Sequence, residues 1–289
     1  MKKITKAVIP AAGFGTRFLP FTKAIPKEML PIVDTPTIEY IVREAVLSGI
    51  KEVLIIINSD KECIKTHFGS NERLEEFLAC KNKQEELDLI KNINLGAKIS
   101  YTYQNEQKGL GHAVLCARDF VGNEPFALLL GDDVYVGDGM PVIKQLINAY
   151  EETGASILGT LEVPLEDVCK YGIVKPYNLV GDLNKLIGVV EKPKVKDAPS
   201  NLAIGGRYIL DSKIFKFLEN QSTGFGGEIQ LTDSILRMIA ESDVYSLAIK
   251  GRRYDLGSKR GFLEATIDFA MEREDLSEIM KDIINKRVK

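Results

Sequence analysis

Short apolar runs alternate along this chain with longer segments whose apolar residues recur every three to four positions, and the rhythm holds from Lys6 to about residue 160. Runs of strand length lie at Lys6–Pro10, Glu52–Asn58, Lys98–Gln104, Phe126–Leu130 and Ser156–Glu162. Between them the spacing predicts helices over Thr37–Ser48, Glu72–Ile93, Leu110–Asp119 and Pro141–Thr153. The runs VLIII (Val53–Ile57) and FALLL (Phe126–Leu130) lack polar alternation, the mark of strands buried on both faces. Strand–helix–strand alternation implies an α/β fold: a Rossmann-like sheet, mixed but mostly parallel, flanked by helices.

Beyond residue 160 the pattern loosens into short strands and turns: KYGIVKP, KLIGVVEKP and NLAIGGRYIL. Helical spacing returns over Ser212–Glu219, Glu228–Ser242 and Lys259–Glu272. Asp275–Lys289 reads as an amphipathic helix with Leu276, Ile279, Met280, Ile283 and Ile284 on one side. No repeat or long linker interrupts the chain, so residues 1–289 are expected to form one domain: a first half over 1–160, a β-rich half over 161–258 and C-terminal helices over 259–289.

Charge and cysteine content remove several function classes. The formal net charge is −3, which argues against nucleic-acid binding and against an anionic membrane surface, since both need a basic face. No apolar run approaches a membrane span, and the apolar stretch after Met1 breaks at Pro10, too short for a secretory leader. Cys63, Cys80, Cys116 and Cys169 form no CxxC pair and His67 and His112 stand far apart, so no zinc site is expected. Scattered reduced thiols fit a soluble cytoplasmic protein.

The stretch AAGFGTRFLPFTKAIPKEML (Ala11–Leu30) follows the first strand and matches neither helix nor strand. A Rossmann dinucleotide turn would need GxGxxG opening a helix, but Phe18 stands at the third glycine and Pro20, Pro26 and Pro31 forbid the helix. A P-loop would need GxxxxGK followed by Ser or Thr, and no such string occurs. An extended loop wrapped around a nucleoside triphosphate fits better, because residues 1–27 hold six basic side chains and no acid. Prolines would keep Arg17 and Lys27 in register against adjacent phosphates. A merely solvated basic loop is the alternative that spacing alone leaves open.

GFGTRFLPFTKAIPKEMLPIVDTP is similar to the signature of sugar-1-phosphate nucleotidylyltransferases, most of all to the bacterial UTP–glucose-1-phosphate uridylyltransferases. The resemblance continues in order through QKGLGHAV (Gln107–Val114), FALLLGDDV (Phe126–Val134), YGIV (Tyr171–Val174), VEKP (Val190–Pro193), APSNLAIGGRYI (Ala198–Ile209), GGEIQLTD (Gly226–Asp233) and KGRRYDLGS (Lys250–Ser258), covering most of residues 5–270. It implies an enzyme that converts UTP and glucose 1-phosphate into UDP-glucose and pyrophosphate with Mg²⁺ as cofactor. Two anions must meet in that reaction, so the protein cancels charge and holds geometry; no Ser/His/Asp or Cys/His set stands out, and none is required.

On this resemblance the first half binds nucleotide. Ala11, Ala12 and Gly13 place the base and ribose against the backbone, with Gly15 and Thr16 continuing the loop. Gln104 reads the uracil edge and Gly109 passes close to the base. Arg17 takes the β- and γ-phosphates and Lys27 sits nearer the transferred phosphate; Lys23 is as readily a solvated lysine. Asp132, at the carboxyl end of a buried strand, holds Mg²⁺, and Asp255 is the candidate second carboxylate. Asp133 is read as a turn cap and His112 as a packing residue. In the second half Glu191 accepts from glucose hydroxyls, Lys192 binds the sugar phosphate, and Gly172 with Asn201–Gly205 shapes the sugar pocket. Glu228 is read as a structural residue at a helix N-terminus. The resemblance also implies a homodimer or homotetramer.

The chain departs from the pattern in three places: Ile57-Asn58-Ser59 replaces a common Thr-Gly-Arg stretch, Thr35 stands where lysine is frequent, and Gly205 where a bulkier residue is common. The last suggests a widened sugar pocket. The rival readings are a transferase using dTTP or another sugar phosphate, and a non-catalytic regulator that binds a nucleotide sugar.

Overall fold

The computed structural model describes residues 2–287, apart from the side chain of Phe225. Among these residues nine strands form one sheet, in the spatial order Lys98–Tyr103, Glu52–Ile57, Lys6–Pro10, Phe126–Leu129, Leu202–Leu210, Ser156–Glu162, Val244–Ala248, Leu183–Glu191, Gly172–Pro176. The first four strands run parallel to one another. Leu202–Leu210 then lies antiparallel to both of its neighbours. Val244–Ala248 returns parallel to Ser156–Glu162, and the edge is closed by the antiparallel hairpin Gly172–Pro176/Leu183–Glu191. The sheet is therefore mixed as expected, but the expectation that it is mostly parallel holds only on the side built from the first half. A strand buried along its whole length, as Leu202–Leu210 is, carries the same apolar pattern in either direction. Its direction is set by non-local pairing with Phe126–Leu129 and Ser156–Glu162, which its own apolar pattern does not encode.

Alternating residues of the central strands feed opposite cores. Ala7 and Ile9 face a layer made by helices Thr37–Leu47 and Val142–Thr153. Val8, Leu54 and Leu128 face the helices Leu110–Leu115, Ile214–Glu219 and Leu231–Glu241. Burial on both faces explains why these strands read as unbroken apolar runs.

Three expected helices differ in detail. The segment expected as Glu72–Ile93 is two helices, Glu72–Cys80 and Gln84–Lys91. Asn82 takes a left-handed φ of 55° between them, and the Lys83 amide caps back onto the Leu78 carbonyl at 3.0 Å. Asparagine tolerates that conformation better than other non-glycine residues, so it ends the first helix there. Leu110–Asp119 likewise divides into Leu110–Leu115 and Arg118–Val121. The helix expected from Glu228 starts at Leu231. Lys259–Glu272 follows expectation, with the Ser258 side chain accepting from the Gly261 amide as N-cap. The last helix is described over Ser277–Arg287; the expected final residues Val288 and Lys289 lie outside the described residues.

Candidate active site

The first strand ends at Pro10 and the fourth in the sheet at Leu129, side by side, so the loops leaving them share the carboxyl edge where open α/β sheets bind ligands. The Ala11–Leu30 loop is neither helix nor strand at length. It consists of three single-turn 3₁₀ segments, Thr16–Phe18, Phe21–Lys23 and Lys27–Met29, separated by prolines. Gly15, with φ 66°, makes the turn that starts the first of them, and its carbonyl accepts from the Thr22 hydroxyl at 2.8 Å. A cavity of about 410 Å³ opens above the loop, lined by Ala12, Gly13, Gly15, Thr16 and Lys27 on one side and Gln104, Gln107, Gly109 and Glu228 on the other. A second cavity of about 240 Å³ adjoins it through Gly15, Thr16 and Lys27 and adds Arg17, Asp132 and Gly257.

Most of the expected nucleotide residues therefore meet around two connected spaces. Ala11 does not line either. Its side chain belongs to the core, and it contributes a carbonyl that accepts from Lys61 Nζ at 2.5 Å. Gln104 is buried, and its Nε2 lies 3.1 Å from both the Gly109 carbonyl and Nδ1 of His112, so His112 serves to hold the amide. Gly109 has φ 95°, and a Cβ there would stand 2.7 Å from Cβ of Glu228, so only glycine fits. Glu228 is thus not a helix-terminus residue; it precedes the helix, packs over Gly109 and lines the cavity.

The second cavity holds the charges. Lys27 Nζ lies 2.6 Å from Asp132 Oδ2, both groups half-buried. Burial favours the neutral acid at Asp132, but the Lys27 charge and hydrogen bond outweigh it and hold the carboxyl below the usual aspartate range. Burial likewise works to lower Lys27, and the Asp132 and Glu28 charges reverse it, so the ammonium is held above its ordinary value. Arg17 reaches across to the Gly257 carbonyl at 3.3 Å.

Asp255 arrives on the short antiparallel ribbon Asp133–Gly137/Gly251–Asp255, where it pairs with Asp133. The Leu256 amide then bonds the Asp132 carbonyl at 2.8 Å. A Cβ on Gly257 would stand 3.0 Å from Asp132 Oδ2 and 3.0 Å from Asp255 Oδ1, which places the two oxygens within about 6 Å of each other; Asp255 Oδ1 also accepts from the Gly257 amide at 2.9 Å. Two neighbouring carboxylates are hard oxygen donors of the kind that suits Mg²⁺, which needs few protein carboxylates when phosphates and water complete its shell. Among the described residues no group of three or more His, Cys, Asp or Glu gathers, so the remaining ligands would come from substrate and water.

Asp133, read as a turn cap, instead begins the strand Asp133–Gly137 and holds Arg253. It is buried, accepts from Arg253 Nε at 2.7 Å, and is pushed up to about 6 by burial against the pull of Arg253, with the Asp132 charge adding to the rise. Arg253 also reaches the Tyr171 hydroxyl at 3.4 Å, and the Tyr171 carbonyl accepts from the Lys192 amide at 2.9 Å. This chain of contacts ties the carboxylate pair to the expected sugar residues.

Those residues form a separate cluster at the end of the strand Leu183–Glu191. Glu191 accepts from the Thr232 hydroxyl at 2.7 Å, and Lys192 Nζ lies 3.3 Å from its other oxygen. Gly172 faces both, since a Cβ there would meet Thr232 Oγ1 at 3.1 Å and Glu191 Oε2 at 3.2 Å. Lys192 has a left-handed φ of 45°, a conformation that a non-glycine residue keeps only where its surroundings enforce it. Gly205 does not belong with them. A Cβ there would lie 2.6 Å from the Tyr135 hydroxyl and 2.9 Å from Leu161, so its missing side chain permits close packing under the strand and does not widen a sugar pocket.

Sequence reasoning passed over Asn58, Lys61, Gln107, Arg253 and the buried pair Glu28–Lys61. Arg253 was within reach, because it stands two residues before Asp255 on one strand and so shares its face. Glu28 and Lys61 join across 33 positions at 2.7 Å, a pairing no local pattern encodes.

A mixed α/β sheet whose carboxyl edge sets a basic glycine-rich loop against two carboxylates defines a nucleotide-transferring enzyme. Residues 6–272 match the model of the family described as nucleotidyl transferase, and the chain belongs to that family. It is 50% identical over 286 residues to the UTP–glucose-1-phosphate uridylyltransferase of Staphylococcus epidermidis, covering 99% of each chain. Among solved structures it is similar to the UTP-bound UGPase from Acinetobacter baumannii, with a TM-score of 0.92, 40% identity and coverage of 99% of this chain and 100% of that one. A UDP-glucose pyrophosphorylase complexed with UDP-glucose matches with a TM-score of 0.86 and 41% identity over 93% of this chain and all of that one. Within the nucleotidyl transferases the chain therefore falls among the enzymes that make UDP-glucose from UTP and glucose 1-phosphate.

Proposed function

We propose that the chain transfers uridylyl from UTP to glucose 1-phosphate by direct in-line attack of the sugar phosphate on the α-phosphorus, with pyrophosphate leaving from the opposite side. The observation that carries this reading is the meeting of Lys27, Asp132 and Asp255 around Gly257, next to the cavity lined by Ala12, Gly13, Gln104 and Gly109. Uracil lies against Gln104 and Gly109, and the loop Gly13–Thr16 carries the ribose and phosphates. Arg17 holds the β- and γ-phosphates. Lys27 lies beside the α-phosphate and balances the charge that builds there. Asp132 and Asp255 hold Mg²⁺, which when bound neutralises phosphate charge and fixes the phosphate orientation. Glu191 and Gly172 receive the glucose, and Lys192 holds its phosphate for attack. No side chain forms a covalent bond to the nucleotide, because bringing the two anions into line is the whole of the chemistry.

The enzyme works in the cytoplasm as a homodimer or homotetramer. Its four cysteines are free thiols, in keeping with a reducing compartment, and none of the described helices is long and apolar enough to cross a membrane. The helix Ser277–Arg287 buries none of its residues on its own chain and exposes Ile279 and Ile283, a stripe suited to another subunit.

The test is pyrophosphate release from UTP and glucose 1-phosphate with Mg²⁺, run beside dTTP, galactose 1-phosphate and EDTA-treated controls. Fast release is expected only with UTP, glucose 1-phosphate and metal together, and EDTA should abolish it. Release with a different pair would move the specificity; no release from folded protein would favour the nucleotide-sugar-binding regulator.

A further inference from the structure

Two consecutive carbonyls of the nucleotide loop are held by side chains from elsewhere in the chain. The Ala11 carbonyl accepts from Lys61 Nζ at 2.5 Å. The Ala12 carbonyl accepts from Asn58 Nδ2 at 2.8 Å and from Gln107 Nε2 at 3.0 Å. A trans peptide points its N–H opposite to its carbonyl, so these contacts fix the directions of the Ala12 and Gly13 amides. Among the described residues neither amide donates a hydrogen bond within the protein, and both residues line the 410 Å³ cavity. Asn58 is itself held in place: it is buried, and its Oδ1 accepts from the Asp60 amide at 3.0 Å, capping the turn Ser59–Lys61. Lys61 is fixed by its buried ion pair with Glu28, the residue after Lys27. Buried pairs of this kind add little net stability over apolar packing, so their presence beside a loop asks for a positional reason.

We propose that Asn58 and Gln107, with Lys61, are positioning residues that lock the Ala11 and Ala12 carbonyls and thereby aim the Ala12 and Gly13 amides at the bound nucleotide; this rests on the uridylyl-transfer reading above. Asn58 stands in the stretch where the chain departs from the commoner Thr-Gly-Arg pattern. A glycine there has no side chain with which to make this contact. The clamp is therefore a property of this sequence rather than of the loop signature.

The expected effect falls on UTP and not on the sugar phosphate. Asn58→Leu keeps the approximate volume and loses the donor. Asn58→Asp keeps an oxygen for the Asp60 amide and turns a second, anionic acceptor on the Ala12 carbonyl. Each should raise the KM for UTP, and its Kd measured by calorimetry, about 5- to 10-fold, the worth of one hydrogen bond. The KM for glucose 1-phosphate should stay within about two-fold, that ratio being well under one hydrogen bond's worth. Gln107→Met, at an exposed position, should act in the same direction and more weakly, and it supplies the test if the Asn58 variants do not fold. The double variant Asn58→Leu/Gln107→Met should exceed either single change, because the two donors share one acceptor. Unchanged UTP binding in folded variants overturns the clamp, as does an equal rise in both KM values or an effect confined to Asn58→Asp. Wild-type turnover in the same assay judges the transfer reading separately, and calorimetric UTP binding reads the clamp even without turnover.

Discussion

Asp132→Asn is expected to lower kcat by about a thousand-fold or more while leaving the fold in place. Losing one preorganised charge at a reacting phosphate is worth about 10²–10³ in rate, and Asp132 pairs with Lys27 and, on the proposed assignment, would also hold Mg²⁺. Asparagine keeps the shape but cannot balance the Lys27 ammonium 2.6 Å away. The structural cost is small by comparison. The pair is half-buried, so its loss costs about 1 kcal/mol, seen as a fall of a few degrees in Tm. Excess Mg²⁺ should not restore the rate. The check is a kcat measurement beside a thermal melt; full activity in the variant would remove Asp132 from the metal site.

Lys192→Ala is expected to lower kcat about 10²–10³-fold and to raise the KM for glucose 1-phosphate more than that for UTP. The backbone makes this site informative. Lys192 holds a φ of 45°, which costs a non-glycine residue about 1 kcal/mol or more and which glycine adopts freely. Lys192→Gly should therefore be as inactive as the alanine variant yet at least as resistant to urea as the wild type. That split, activity lost while stability is kept or gained, is what a strained functional residue predicts. Lys192→Arg should not restore the rate, since a planar guanidinium does not substitute for a compact ammonium. An alanine variant with wild-type kcat would take Lys192 out of the reaction.

The parts of the fold that were legible in the chain are those whose signal is local. Val53–Ile57 and Phe126–Leu129 were visible as strands because both faces are buried. Lys259–Glu272 was visible as a helix because its spacing runs unbroken behind a serine cap. Strand direction was not local, so Leu202–Leu210 entered the sheet antiparallel without announcing it. The break at Asn82 was hidden by apolar spacing that continues on either side of it.

The candidate site divides along the same line. The loop chemistry at Gly15, Arg17 and Lys27 could be argued from the residues, and the resemblance extended it to Gln104, Asp132, Glu191 and Lys192. Contacts joining distant segments could not be read: Lys61 with Glu28, Gln107 with Ala12, Arg253 with Asp133 and Tyr171. Gly205 shows the opposite error. A missing side chain suggested an enlarged pocket, whereas the space is already filled by Tyr135 and Leu161.

Direct attack, with no covalent stop on the protein, is the centre of the account, and the stereochemical course at the α-phosphorus tests it most directly. UTP carrying sulfur at one α-phosphate position, of known configuration, would be turned over with glucose 1-phosphate and the configuration of the thio-UDP-glucose determined. A single in-line displacement inverts the phosphorus, and inversion is the predicted result. Retention would mean two displacements through a uridylylated side chain, and would contradict an active site in which Lys27, Asp132, Asp255 and Lys192 only hold and neutralise the reacting anions.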